Sequence, residues 1–175
     1  MEYQFYQLLL FFSIYCLISW GISVSFFALT EGFYDNRGIV RGPIFLSGGL
    51  GAMILVVGQQ YMLKNVDIMF AGGYLAATYG LAVLTALILG ILGMVFVNCL
   101  CGQKLVQLRW YQPFLWGFGG LILVYHLHPL IEVVTNWISP WVHLAFLLVF
   151  WLEFVPGLVD GIAGLSDYKR KTHFS

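Results

Sequence analysis

The residues best suited to chemistry are acids and histidines inside long apolar runs. In the last run, seven residues recur at alternating spacings of three and four, which places them on one stripe of a helix. An ionised carboxylate facing lipid costs about 3 kcal/mol, so we expect Glu153 to point into the protein or a wet cavity. Pro156 should kink the helix between the two acids. The stripe contains His143, Phe146, Phe150, Glu153, Gly157, Asp160 and Gly164.

Two interpretations of this stripe stay open. It is either a polar site that binds a ligand or partner within a helix bundle, or a place where a buried acid pairs with a basic or hydroxyl group. Asp160 lies nearer the end of the run and is expected to reach water at the membrane interface.

A second group of candidates lies in the preceding run, where His126, His128 and Glu132 surround Pro129. Histidines at i and i+2 face opposite sides of a regular helix, so a metal site would need the distortion that we expect at Pro129. We therefore predict no metal and no cofactor. His128 remains a candidate for binding a ligand or partner.

The composition requires these side chains to be held by membrane-spanning helices. Of 175 residues, 61% are hydrophobic and 9% are charged, and the mean hydropathy is +0.88. No soluble domain of this size presents such a surface to water. The formal net charge is zero and no basic face is evident, which excludes nucleic acid as a partner. Cys16, Cys99 and Cys101 are expected to be free thiols.

Apolar runs divide the chain into five predicted helices, which form one all-α integral membrane domain over residues 1–175. The first run follows an acidic start and lacks a cleavage site, so it should remain in the membrane. Small residues at 47–52 and 72–80 favour close helix packing over a ligand site. The predicted spans are about 6–29, 43–62, 68–99, 113–134 and 139–165.

The basic residues predict the orientation of these spans. With five crossings, the loops after spans one and three share a side with the C-terminus, and together they hold seven of the eight lysines and arginines. Because positive loops stay in the cytoplasm, we predict the N-terminus outside and the C-terminus inside. The seven are Arg37, Arg41, Lys104, Arg109, Lys169, Arg170 and Lys171.

The loop after the first span carries a family-like motif. Asn36-Arg37-Gly38, then Gly42-Pro43, then Gly51-Ala52 resembles the NRG-x-x-x-GP pattern, followed by GFGA, of the CmpB-like family of ABC-transporter-permease-type bacterial multipass proteins. Arg109-Trp110 and His128-Pro129 are similar to later marks of that family. The chain departs from the pattern where two family acids fall on Val95 and Gln103.

The resemblance implies a permease-like subunit of a transport complex in the bacterial cytoplasmic membrane. No Gly-x-x-x-x-Gly-Lys-Ser/Thr motif occurs, so ATP-driven transport needs a separate ATPase on the cytoplasmic face. Membrane lipid and other membrane subunits are the expected partners. The candidate binding residues are Asn36, Arg37, Gly38, Arg41, Gly42, Pro43, Arg109, Trp110, His128, His143, Glu153 and Asp160.

Two other classes of function are compatible with such a chain. One is a non-catalytic accessory subunit that packs against a larger membrane protein, as the many Gly and Ala faces suggest. The other is a membrane enzyme acting on lipid-linked substrates. No Ser-His-Asp order, HExxH motif or pair of acids at one depth supports the enzyme. We therefore expect no catalytic residues.

The predicted orientation can be tested by labelling. In a chain whose native cysteines are replaced by serine, Gly38→Cys should react with a membrane-impermeant maleimide in inverted vesicles and not in intact cells. Trp137→Cys, expected at the opposite interface, should show the reverse pattern. Labelling of the Gly38→Cys chain from outside intact cells would contradict the orientation.

Overall fold

A computed structural model describes residues 3–31, 46–65, 71–101 and 110–172, and these residues are almost entirely helical. The elements are α1 (Phe5–Glu31), α2 (Leu46–Asn65), α3 (Ala71–Cys101), α4 (Gln112–Ile122), a π-helical turn (Leu123–Leu127), α5 (His128–Trp137) and α6 (Pro140–Thr172). Within them, five stretches are long and apolar enough to cross a membrane: Phe5–Ser25, Leu46–Asn65, Gly72–Phe96, Gln112–Trp137 and Pro140–Gly164. The predicted all-α bundle of five spans is confirmed. The predicted start of the second span at Pro43 lies outside the described residues.

The fourth span is built from α4, the π-helical turn and α5 in continuous succession. Pro129 has no N–H, and in a regular α-helix its ring conflicts with the carbonyl of Tyr125. The π-helical turn lies directly before this proline and absorbs the conflict. The distortion predicted at Pro129 is confirmed, and it takes the form of a π turn.

The last helix begins where the sequence predicts. The backbone N–H groups of Val142 and His143 donate to the Ser139 carbonyl at 2.9 and 3.3 Å, which starts α6 at Pro140. The helix then continues through Pro156 as one element of 33 residues. An internal proline is tolerated in a membrane helix when neighbouring groups satisfy the freed carbonyl.

Close contacts between helices depend on small residues. A Cβ at Gly49 would collide with the Sγ atom of Cys16, so α1 and α2 approach each other there. A Cβ at Gly120 would lie 2.5 Å from the Cβ of Ala82, which brings α4 against α3. The small-residue face predicted at 47–52 is therefore a packing face.

The small-residue face predicted at 72–80 of α3 does not pack closely at Gly80. Gly80 is exposed, and a Cβ there would have nothing within 4 Å. The side of α3 that packs carries Thr78 and Ala82, both buried. The glycines of this contact, Gly117 and Gly120, come from α4 instead. Glycine spacing in α3 alone gave no indication of which partner would supply the small residues.

Two buried clusters position the polar residues discussed below. The first joins α1, α2 and α5 and contains Phe11, Tyr15, Ala52, Val56 and Ile131. The second joins α1 and α6.

The buried members of the second cluster are Cys16, Phe150 and Phe154, with Phe12 and Trp151 packed against them. Dispersion and aromatic edge contacts, rather than a difference in hydrophobicity from lipid, hold such helices together in a membrane.

The contact between α3 and α4 predicts a cost for adding one methyl group. Gly120→Ala should lower the free energy of unfolding in detergent by about 1–3 kcal/mol, because two Cβ atoms cannot stay 2.5 Å apart. Gly93→Ala, where a Cβ has nothing within 4 Å, should change it by less than about 0.5 kcal/mol. Equal stability of the two variants, measured by titration with SDS, would contradict this packing.

Candidate functional site

A buried histidine that is hydrogen-bonded to two tyrosines joins the first and fourth spans. His128 opens α5 directly after the π-helical turn and is 6% exposed. The Oη atom of Tyr3 lies 2.7 Å from its Nε2 atom, and the Oη atom of Tyr15 lies 2.6 Å from its Nδ1 atom. These two hydrogen bonds connect the first span, and the residues just before it, to the fourth span.

Aromatic rings enclose this histidine. Phe11 meets the His128 ring edge-on, with ring centroids 5.2 Å apart and an interplanar angle of 80°. Tyr3 packs edge-on against Phe11 at 5.3 Å. Phe11 and Tyr15 are four residues apart and therefore share one face of α1. Apolar surroundings strengthen the two hydrogen bonds and raise the cost of losing either one.

The two tyrosines satisfy both ring nitrogens of His128. A neutral imidazole offers one donor and one acceptor, so one tyrosine accepts a hydrogen bond from the ring and the other donates one to it. An imidazolium would donate to both. In either state no ring nitrogen is left for a ligand, and the described residues hold no group of three or more His, Cys, Asp or Glu suited to a metal ion.

Tyr3 lies before the first span and stays protonated at neutral pH. Burial raises the pKa of Tyr3, and the charge of Glu132 raises it further, whereas a hydrogen bond with Gln60 lowers it. The phenol therefore keeps its proton and remains able to donate. Gln60 of α2 and Glu132 of α5 thus both act on the pKa of Tyr3.

The residues of the stripe predicted on α6 do not share one environment in the structure. Phe150 and Gly157 are buried, but Glu153 and Asp160 are exposed. The expectation that Glu153 points into the protein is therefore wrong for the single chain, and the alternative of a wet cavity stays a prediction.

Aromatic packing explains the rotation of α6. Trp151 stacks on Phe12 of α1 with ring centroids 6.1 Å apart, and Phe154 meets the same ring edge-on at 6.2 Å. Burying these large rings fixes which side of α6 faces α1. Glu153 falls on the flank that remains.

His143 lies near the start of α6 and is half-buried. Its Nε2 atom and the Nε1 atom of Trp151 are buried without a hydrogen-bond partner among the described residues. His143 and Trp151 belong to the side of α6 that faces the bundle, whereas Glu153 and Asp160 do not.

Most of the motif residues lie outside the described part of the chain. This applies to Asn36, Arg37, Gly38, Arg41, Gly42, Pro43 and Arg109. Trp110 is described and is 82% exposed, with the ring of Tyr111 edge-on to it at 6.0 Å. The structure does not bring His128 and Glu153 together, because they lie in separate clusters on α5 and α6.

Sequence reasoning missed the partners of His128. Tyr3 and Tyr15 lie more than 100 residues away from His128 along the chain. In the sequence these tyrosines resemble ordinary aromatic residues of a membrane helix. One signal was available: a histidine inside an apolar run needs a hydrogen-bond partner at its own depth.

Comparison with protein-family models, curated proteins and solved structures found no match. The resemblance to the CmpB-like family therefore rests on the sequence motifs described above.

The hydrogen bonds to His128 predict a measurable loss of stability. Tyr15→Phe leaves the buried Nδ1 atom without a partner and should lower the free energy of unfolding by about 1–3 kcal/mol. Tyr6→Phe removes a hydroxyl from a tyrosine that is 47% exposed and serves as the control. Equal unfolding free energies for the two variants would show that the Tyr15–His128 bond does not stabilise the bundle.

Proposed function

We propose that this protein is an integral membrane subunit of a larger assembly, in which a neighbouring protein covers α6. The observation that carries this proposal is the position of Glu153. It lies thirteen residues after Pro140 and eleven before Gly164, the ends of the fifth span. At helical rise these separations are about 20 and 17 Å, which places the carboxyl group near the middle of the hydrocarbon.

An exposed carboxylate at this depth is unfavourable in a lone chain. Placing an acid at the bilayer centre costs about 3 kcal/mol on insertion scales, and such residues face a protein interior or a wet cavity. Glu153 is exposed on the surface of the chain instead. A neighbouring subunit that offers a hydrogen-bond donor removes this cost.

The lysines and arginines of this chain do not supply a donor for Glu153 from within the spans. Lys64 alone falls inside a span, and it occupies the last turn of α2. The other seven lie outside all five stretches.

Burial along the helices agrees with a subunit that has neighbours. Of the residues in an apolar 18-residue stretch of each span, 11% are buried within the chain in α6 and in α3. The corresponding share is 28% in α1 and in the fourth span. Lipid tails cover apolar side chains without cost, so exposed leucines alone indicate nothing. The acid among them distinguishes a docking face from a lipid face.

A permease-like role in transport is the second candidate, and the polar cluster at His128 favours it. Polar and ionisable residues inside a bundle commonly mark proton or solute pathways. Here His128, Tyr15 and Tyr3 form a continuous hydrogen-bonded chain that ends before the first span. In this role the protein would work beside a separate ATPase, which the loops at 30–42 and 104–110 would contact, and its substrate would contact the Glu153 side of α6.

Native isolation tests the proposal. The tagged protein, extracted into lipid nanodiscs directly from its membrane, should have a protein mass well above 19.8 kDa. Glu153→Leu should reduce the larger species at least tenfold, since it removes the group that requires a partner. Val149→Leu changes a neighbouring exposed side chain without altering polarity and should have no effect. Mass photometry that finds only single chains in the unmodified sample would contradict the proposal.

A further inference from the structure

A second polar side chain lies exposed in the middle of a span. His126 belongs to the π-helical turn Leu123–Leu127 and is exposed, whereas His128, two residues later, is buried. It lies eleven residues before Trp137, the end of the fourth span. π-Helical turns recur at functional sites because the extra residue rotates side chains out of the regular pattern.

His126 and Glu153 lie at nearly the same depth. The fourth and fifth spans meet at residues 138–139, so both positions are measured from one membrane interface. His126 lies about 17 Å and Glu153 about 20 Å from that end at helical rise, a difference smaller than one turn. An imidazole N–H donor and a carboxylate acceptor at one depth are chemically complementary.

Within one chain these two side chains do not cover each other. Among the described residues α6 packs against α1 and α3, while the fourth span packs against α1, α2 and α3. Both His126 and Glu153 remain exposed on the surface of the chain. Each therefore needs a partner from outside, and each offers what the other lacks.

No lysine, arginine or other histidine among the described residues fits Glu153 as well. Lys64 lies in the last turn of α2, and the remaining lysines and arginines lie outside the spans. His128 has both ring nitrogens occupied by tyrosines. His143 is half-buried on the inward side of α6 near its start. His126 is the histidine left exposed at the depth of Glu153.

We infer that the neighbour covering Glu153 is a second copy of this chain, with the imidazole of His126 hydrogen-bonded to the carboxyl group of Glu153 across the contact. This inference rests on the proposed function and specifies one partner in the assembly. A twofold dimer forms the pair twice, and a ring forms it once at each contact. Either arrangement removes both exposed polar groups from lipid with one kind of interface.

Cross-linking between differently tagged copies tests the contact. Both chains lack the native cysteines; one carries His126→Cys and the other Glu153→Cys. Mild oxidation in native membranes should give a disulfide-linked species of twice the chain mass. Val133→Cys replaces His126→Cys in the control, because Val133 is 55% exposed and lies seven residues along the same helix face, at a different depth. Equal yields from the two pairs would overturn the inference.

Self-association of chains with native residues at these positions provides the second measurement. Purified protein in liposomes, labelled with donor and acceptor dyes, should transfer energy in a manner that depends on the protein-to-lipid ratio. His126→Leu and Glu153→Leu should each weaken association at least tenfold, while Val149→Leu should leave it unchanged. No energy transfer from the unmodified protein would overturn the inference.

The outcomes separate this inference from the proposed function. A native assembly that contains one copy of this chain bound through α6 to a different protein would overturn self-association and retain the proposed function. A single chain without any protein neighbour would overturn both.

Discussion

The hydrocarbon core of the membrane supplies no hydrogen bonds, and this constraint explains most of the described structure. Every polar group that enters it must find a partner in the protein. His128 satisfies the requirement within the chain, through Tyr3 and Tyr15 at 2.7 and 2.6 Å. His126 and Glu153 do not satisfy it within one chain, and both lie exposed on its surface. The same physical rule thus accounts for one site that ties the bundle together and supports the proposal that a neighbour covers the other.

Aromatic packing decides which of these polar groups the chain can satisfy for itself. The rings of Phe12, Trp151 and Phe154 fix how α6 faces α1. Once these rings are buried, another side of α6 must face away from the bundle, and Glu153 lies on that side. On the fourth span, His126 and His128 lie two residues apart and face opposite sides of the helix, so the packing of His128 against Phe11 leaves His126 facing outward. In both cases apolar geometry sets the direction of a polar side chain.

The number of helices and their approximate bounds follow from the sequence because hydrophobic length is a strong, local signal. The distortion at Pro129 was predictable for the same reason, since proline acts on its own helix. The orientation of Glu153 was not, because the spacing of three and four along α6 describes two adjacent faces almost equally well. The choice between them depends on Phe12, which lies in another helix.

The partners of His128 were also beyond local reasoning. A histidine in an apolar run indicates that some donor or acceptor must approach it, but not which one. The spacing of glycines likewise did not indicate their contacts. Gly49 packs closely and Gly80 does not, while Gly117 and Gly120 supply the contact with α3. The orientation across the membrane and the role of the loop motif remain predictions from the charge pattern and from the resemblance.

The hydrogen bond between Tyr3 and His128 spans 125 residues of the chain, which has a consequence for biosynthesis. Tyr3 and Tyr15 leave the ribosome long before His128, to which both are hydrogen-bonded, has been made. Until His128 has been made, Tyr15 cannot form its hydrogen bond with the Nδ1 atom of that residue. The contact that ties the first span to the fourth therefore forms only after the fourth span has been translated.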